Sequence, residues 1–456
     1  MLRSGEFRAD DFTATSIATR VRAGELDPVR SVQEALDRIA KRDSGIDAFI
    51  AVRGEAALAE AKELSLRRDL PSLPMAGVPV AVKDNIAVKG LPLRMGSRAT
   101  AAEPSAVDHP VVARLREAGA VIVGLTAMPE LGIWGTTDSP GRVTRNPWDS
   151  TRTAGGSSGG AAAAVSAGMV PIAHGNDGLG SIRIPSACCG LFGIKPGSGL
   201  VPSEVGRTSW FGMTENGPLA TTVGDAALML SVLAQRPELA ALANPKGLRI
   251  GLAAGSPTPL VRVDRHWTAA ARTAGSVLVS AGHLVETTTL PYQPSDVAEF
   301  VRWTGGAAND AEALDRSLLQ KRNRRHVAVG RVVNELQLVR PRSIDRAHHR
   351  LQQFFATHDV VITPTLAQNP PKSREWSEKG WLANILANVR YAPFAALWNL
   401  LGWPAASVPV GLHPVTGTPM AAQLAGPPGS EAVLLALAAQ IEAHRPWQRV
   451  APEFVD

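Results

Sequence analysis

Cysteine is nearly absent from this 456-residue chain, which carries only the adjacent pair Cys188 and Cys189. Neighbouring cysteines rarely close on each other, and two supply neither a disulfide framework nor a complete metal site. They read as small buried residues in a reducing compartment. Aromatic residues are sparse at 5%, and the net charge of +6 is spread along the chain. With no RNA-binding aromatic motif, helix-turn-helix signature or zinc-finger spacing, the composition points to a mildly basic enzyme without a nucleic-acid partner. Long apolar runs are missing too. Residues 153–176 contain no acidic residue, lysine or arginine, but the stretch is built of Gly, Ser and Ala and is interrupted by Pro171. That pattern is a buried core helix with flanking loops, so no membrane span is expected. The N-terminal MLRSGEFRADDF is charged and lacks the apolar centre of a signal peptide, which makes the expected location cytoplasmic.

What the chain does have is alternation. A helix is predicted over Ser31–Ala40 after a turn at Gly24–Pro28, and another over Ala56–Arg68. Short apolar runs then alternate with helical ones. Gly77–Val82 ends at Lys83, Val111–Ala118 precedes Ala120–Val123, and Leu248–Leu252 opens a further unit. Such alternation predicts an α/β fold around a large, mixed but mostly parallel twisted sheet covered by helices on both faces. No linker, repeat or low-complexity tract divides the chain, so one domain over 1–456 is expected. Its N-terminal region, to about residue 70, reads as helical, and an Arg-rich helical elaboration spans about 294–358. The arginines there are either solvated helix faces or a cap that selects acidic or polar acyl groups.

Three islands carry chemistry: VAVKDN around Lys83, GGSSGG at 155–160 and DGLGSIRIP at 177–185. Ser181 follows Gly178-Leu179-Gly180. Successive N–H groups in such a turn either cradle a developing oxyanion or simply make a structural turn around an incidental serine. Ser157 and Ser158 lie before the helix predicted at Ala161–Ala167. Residues 156–160 fit a G-x-S-x-G nucleophile elbow with Ser158 at its centre, but that elbow needs a hydrophobic strand before it. Here the preceding RNPWDSTRT is polar. Lys83 ends a buried run, where it is either a snorkelling surface lysine or a desolvated amine whose neutral form accepts a proton.

Taken together these islands resemble the amidase signature family from end to end. GELDPVRSVQEALDRI, ARLREAGAVIVG at 113–124, ACCGLFGIKP at 187–196, VITPT at 361–365 and NLLGWPAASVPVG at 399–411 extend the likeness. WGTT at 134–137 and RNPW at 145–148 resemble the subgroup holding bacterial aryl acylamidases and cyclic-amide hydrolases. The resemblance implies Ser181 as nucleophile, Ser157 as a bridging serine after a cis peptide bond, and Lys83 as base. It also implies an oxyanion hole from the N–H groups of Gly178, Leu179, Gly180 and Ser181. Ser158, Asp177 and Arg183 are expected as supporting residues, the last two paired with each other or with nearby backbone, and His174 as a core or supporting histidine. Trp134, Tyr391, Phe394, Trp398 and Trp403 are candidate walls for the substrate, with Trp134 and Trp398 foremost. The implied partner is a small-molecule amide, with no metal or organic cofactor, and homodimers occur in the family. Leu179 departs from the glycine usual at its position, so the turn carries a bulky side chain that its N–H donors tolerate if φ stays negative. The expected activity is amide hydrolysis. The alternatives are an acyltransferase that makes an amide from the same acyl-enzyme, and a degenerate member without catalysis.

Overall fold

Strand formation here follows burial on both faces. Pro79–Lys83, Val121–Thr126, Ile172–Asp177 and Glu215–Ala220 are buried at every position, without polar alternation. The structure, a computed structural model, describes residues 12–259, 261–292 and 296–455. The charged N-terminal stretch 1–11 and Pro294, where the Arg-rich segment was expected to start, lie outside the described residues.

Among the described residues, eleven strands form one sheet. Across the sheet the order is Phe49–Val52, Val121–Thr126, Pro79–Lys83, Ile172–Asp177, Glu215–Ala220, Phe192–Lys195, Ala405–Leu412, Pro419–Ala425, Val360–Pro364, Arg249–Leu252 and Leu284–Thr287. The expected α/β class and two-sided helical cover hold, but the expected parallel majority does not. Four neighbouring pairs are parallel, two toward each edge. Six are antiparallel, five of them consecutive through the middle. The reason is that an unbroken apolar run records cover on both faces, which parallel and antiparallel strands share once helices lie above and below. Ala405–Leu412 and Pro419–Ala425, for example, are joined by a short loop and pair as a hairpin.

Helices sit close to their predicted places. The N-terminal amphipathic helix begins earlier than expected, at Pro28 rather than Ser31. The Asp27 side chain accepts from the Val29 N–H and caps it, with proline in the first turn where a missing N–H costs nothing. Val32, Ala35, Leu36 and Ile39 form its buried stripe. Gly159–Ser166 is wholly buried, as the uncharged run implied, and packs on Ile172–Asp177. Among the described residues no helix is long and apolar enough to cross a membrane. The Arg-rich segment folds as Asp296–Asp310, Lys321–Glu335 and Asp345–Phe355. Cys188 and Cys189 are both free and buried, and burial holds their thiols well above the ordinary range.

Candidate active site

Parallel pairing brings the first and third islands together. Pro79–Lys83 runs alongside Ile172–Asp177, so Lys83 and Asp177 emerge at the same carboxyl edge. Lys83 is 1% exposed. Its Nζ lies 2.7 Å from Ser157 Oγ and donates to the Asn176 carbonyl at 3.1 Å. Burial lowers its pKa to about 7, against a smaller upward pull from the Asp177 carboxylate. A substantial neutral fraction therefore exists near pH 7, and a neutral amine has a lone pair for a hydroxyl proton. The backbone N–H of Lys83 donates to His174 Nδ1, whose Nε2 meets Asn216 Oδ1 at 3.0 Å. Burial pushes His174 down to about 3, so this histidine stays neutral and holds the strand end.

The Gly156–Ser157 peptide bond is cis, as the resemblance implied. Glycine is required at 156 because an added Cβ would lie 2.9 Å from the backbone at Trp134, Gly135 and Thr136. Ser158 has a different task from its neighbour. Its N–H donates to the Ser181 carbonyl at 3.1 Å, while its Oγ exchanges hydrogen bonds with the Asn176 backbone. That Oγ is fully buried and engaged, and the strand before it, Asp149–Thr153, belongs to a small two-stranded ribbon apart from the main sheet. The nucleophile-elbow reading of Ser158 fails on both counts.

The turn bearing Ser181 is wound around one carboxylate. Asp177 accepts from the Gly180 and Ile182 N–H groups at 2.6 and 3.1 Å, and from Arg183 Nε and Nη2 at 3.0 Å each. Arg183 also donates to Ala395 O and Gln423 Oε1, and Asn399 bridges both partners. Both charged side chains are fully buried, and the guanidinium holds the Asp177 carboxyl well below the ordinary range. The expected Asp177–Arg183 pair is thus in place. One expectation needs correction: the Gly180 N–H is already given to Asp177, so it is not an oxyanion donor. Among the described residues the Gly178, Leu179 and Ser181 N–H groups have no protein acceptor. Only Gly180 in this turn has a positive φ, 113°, so Leu179 keeps the negative φ that its side chain requires.

Two spaces meet at Ser181. The larger, about 250 Å³, is lined by Trp134, Leu179, Ile184, Trp210, Phe300 and Trp303, with Gly156, Glu299, Ile385, Asn388 and Val389 completing much of the wall. The smaller, about 20 Å³, is lined by Lys83, Asn85, Met128, Ser157, Thr214 and Asp310 among others. Trp134 is therefore a wall residue, edge-on to Trp303 at 5.7 Å, with its Nε1 donating to Asn323 Oδ1. Trp398 is not. It follows the lining residue Ala396 by two positions on a helix, which turns it about 200° away, into a separate cluster with Phe355 and Trp403. Phe394 and Trp403 are likewise core. Tyr391 acts indirectly: its hydroxyl donates to the Gly135 carbonyl while Asn388 accepts from the Gly135 N–H. The helical elaboration does cover the cavity, but it presents Glu299, Phe300 and Trp303, and among the described residues no lysine or arginine lines the wall. Arg322 is instead buried against Asp138 and Asn384. Trp210, Phe300, Trp303 and Val389 went unnoticed in the sequence because no local motif surrounds them.

Comparison with known proteins decides the assignment. A family model described as Amidase matches residues 30–435. This chain belongs to the Amidase family. It is an amidase, similar over 96% of its length to the Mycobacterium tuberculosis protein named "Putative amidase AmiB2", at 40% identity over 97% of that protein. The acylamidase of Rhodococcus erythropolis is 32% identical over 96% of this chain and 97% of its own. Among solved structures, 6-aminohexanoate cyclic dimer hydrolase superposes with a TM-score of 0.84 at 27% identity, covering 97% of this chain and 99% of that one. A bacterial aryl acylamidase gives 0.79 at 27% identity, covering 95% and 96%.

Proposed function

We propose that this amidase cleaves a carboxylic amide through an acyl-enzyme on Ser181, with Ser157 and Lys83 as its proton relay. The observation that carries the reading is the 2.7 Å contact between Lys83 Nζ and Ser157 Oγ in a buried setting that lowers the lysine to about pKa 7. Neutral Lys83 takes the Ser157 proton, Ser157 takes that of Ser181, and the Ser181 oxygen attacks the amide carbon. The N–H groups of Gly178, Leu179 and Ser181 receive the oxyanion, where one well-aimed donor typically supplies roughly 3–4 kcal/mol. The relay then runs backward to protonate the departing nitrogen, and the C–N bond breaks. Water, deprotonated by the same relay, releases the acid and restores Ser181.

The apolar cavity beside Ser181 supports an apolar, aryl-bearing acyl group as the part held during the reaction. Treatment with a fluorophosphonate followed by peptide mapping tests the nucleophile. A single adduct on Ser181 is expected. An adduct on Ser158, or none on folded protein, overturns the reading. Product analysis with and without an added amine separates hydrolysis from acyl transfer, and acid alone is the expected product.

A further inference from the structure

We infer that the small space beside Lys83 and Ser157 is a dedicated leaving-group site, built for ammonia, so that the substrates are primary carboxamides of apolar acids. The inference rests on the Ser181 acyl-enzyme reading and deepens it. The departing nitrogen must accept its proton from the relay, and therefore sits within reach of Ser157 Oγ. Ser157 lines the small space and is not among the residues of the large cavity, whereas Leu179, Ile184 and Trp134 line only the large one. Ser181, Gly132 and Trp210 line both. The scissile bond then lies at the junction, with the acyl body in about 250 Å³ of apolar space and the nitrogen in about 20 Å³ beside Lys83 and Ser157. A water-sized molecule needs roughly 10–15 Å³ measured this way, so the small site takes ammonia or one water, and an anilide ring cannot enter.

Its polar equipment matches that occupant. Among the described residues, Asn85 Oδ1 and Thr214 Oγ1 are both buried and lack a hydrogen-bond partner, and both residues line this space. Each residue is 3% exposed. Unpaired buried acceptors are costly unless a ligand satisfies them. An –NH2 group supplies two N–H donors, which an N-aryl amide cannot match in either number or size. Met95, Met128 and Leu131 close the remaining wall. In the first half-reaction the Ser181 O–C bond forms as the C–N bond breaks, the proton from Ser181 ends on nitrogen, and neutral ammonia leaves. Water then occupies the vacated site, adds to the acyl carbon, and gives the acid while its proton returns to Ser181. The same limit bars bulky amine acceptors, so the acyl-enzyme passes only to water, ammonia or hydroxylamine.

The test uses the full-length enzyme and a panel of arylalkyl acids, each offered as its primary amide, N-methyl amide and anilide, with acid release followed by chromatography. The expected order is primary above N-methyl above anilide, with kcat/KM for the anilide lower by about 100-fold or more. Thr214→Val should lower kcat/KM for the primary amide by about tenfold, and Thr214→Ser should restore it. Fluorophosphonate labelling of Ser181 should stay intact in both. Met128→Ala should narrow the gap between primary amide and anilide. For wild type, trapping with hydroxylamine should yield the hydroxamate, while aniline should yield no anilide. Anilides cleaved as fast as primary amides, or aniline accepted as readily as hydroxylamine, would overturn the leaving-group site while leaving the Ser181 mechanism standing. Failure of Ser181 to label, with no amide cleaved, would instead remove the mechanism and this inference with it.

Discussion

The sharpest consequence of the site is its dependence on pH. Lys83 is moved from the ordinary 10.5 to about 7 because burial penalises the ammonium, and the Asp177 carboxylate recovers only part of that penalty. The shift corresponds to roughly 4–5 kcal/mol against the charged form. At pH 7 about half of the lysine is neutral, compared with about one part in 3,000 for an unshifted side chain. Since the proposed relay begins from the neutral amine, kcat/KM should follow that fraction. It should rise about tenfold per unit below pH 7 and level off by about pH 8. Between pH 8 and pH 6 the neutral fraction falls about tenfold, well outside assay error. The measurement is kcat/KM for one amide from pH 5.5 to 9.5, with circular dichroism confirming that the fold persists throughout. His174 cannot produce this limb, because burial keeps it neutral down to about pH 3. A profile still climbing at unit slope above pH 9 would mean that Lys83 is not desolvated. A flat profile from pH 5.5 would mean that it is not the base.

Further outcomes follow from individual contacts. Arg183→Met leaves the Asp177 charge buried without its cation, and chemical denaturation should show a loss of about 3–5 kcal/mol. Gly180→Ala places a Cβ 2.5 Å from that of Ala395 at a φ of 113°, so the Ser181 turn should shift and kcat should fall by at least about tenfold while the melting temperature changes less. Trp134→Ala should raise KM for an aryl-bearing amide about tenfold by opening the apolar wall. Trp398→Phe should leave KM unchanged and lower only the melting temperature, since that side chain packs with Phe355 and Trp403 away from the cavity.

The proposed relay was legible because its members sit in short segments whose composition is locally odd. Lysine at the end of a buried strand, and serine among glycines that allow close backbone approach, both violate ordinary patterning. Functional sites are where such violations concentrate. The sheet's direction was not legible, since Val408 and Val80 look equally buried in a strand whichever way the neighbour runs. Gly180 illustrates a finer limit. Its place in the motif marks a turn of free N–H groups, yet its own N–H is taken by a carboxylate three residues earlier. Spacing alone does not say whether an acidic residue next to an oxyanion turn faces into it or away.

The substrate walls escaped the sequence for a different reason. Trp210, Phe300, Trp303 and Val389 come from segments far apart in the chain, and each is an ordinary apolar residue in its own neighbourhood. Trp398 shows the converse, because it stands beside a lining residue and yet faces the core. The same holds for Asn85 and Thr214, whose chemistry lies in what they lack. Asn85 sits two residues after Lys83 and could be noticed in VAVKDN. Thr214 belongs to no motif, and only tertiary structure brings both to the space beside Ser157. A catalytic relay can be written in contiguous motifs because it must be held rigidly by local backbone. Selectivity is set by volumes and unpaired acceptors between elements, and two members of this family can share every motif while admitting different leaving groups.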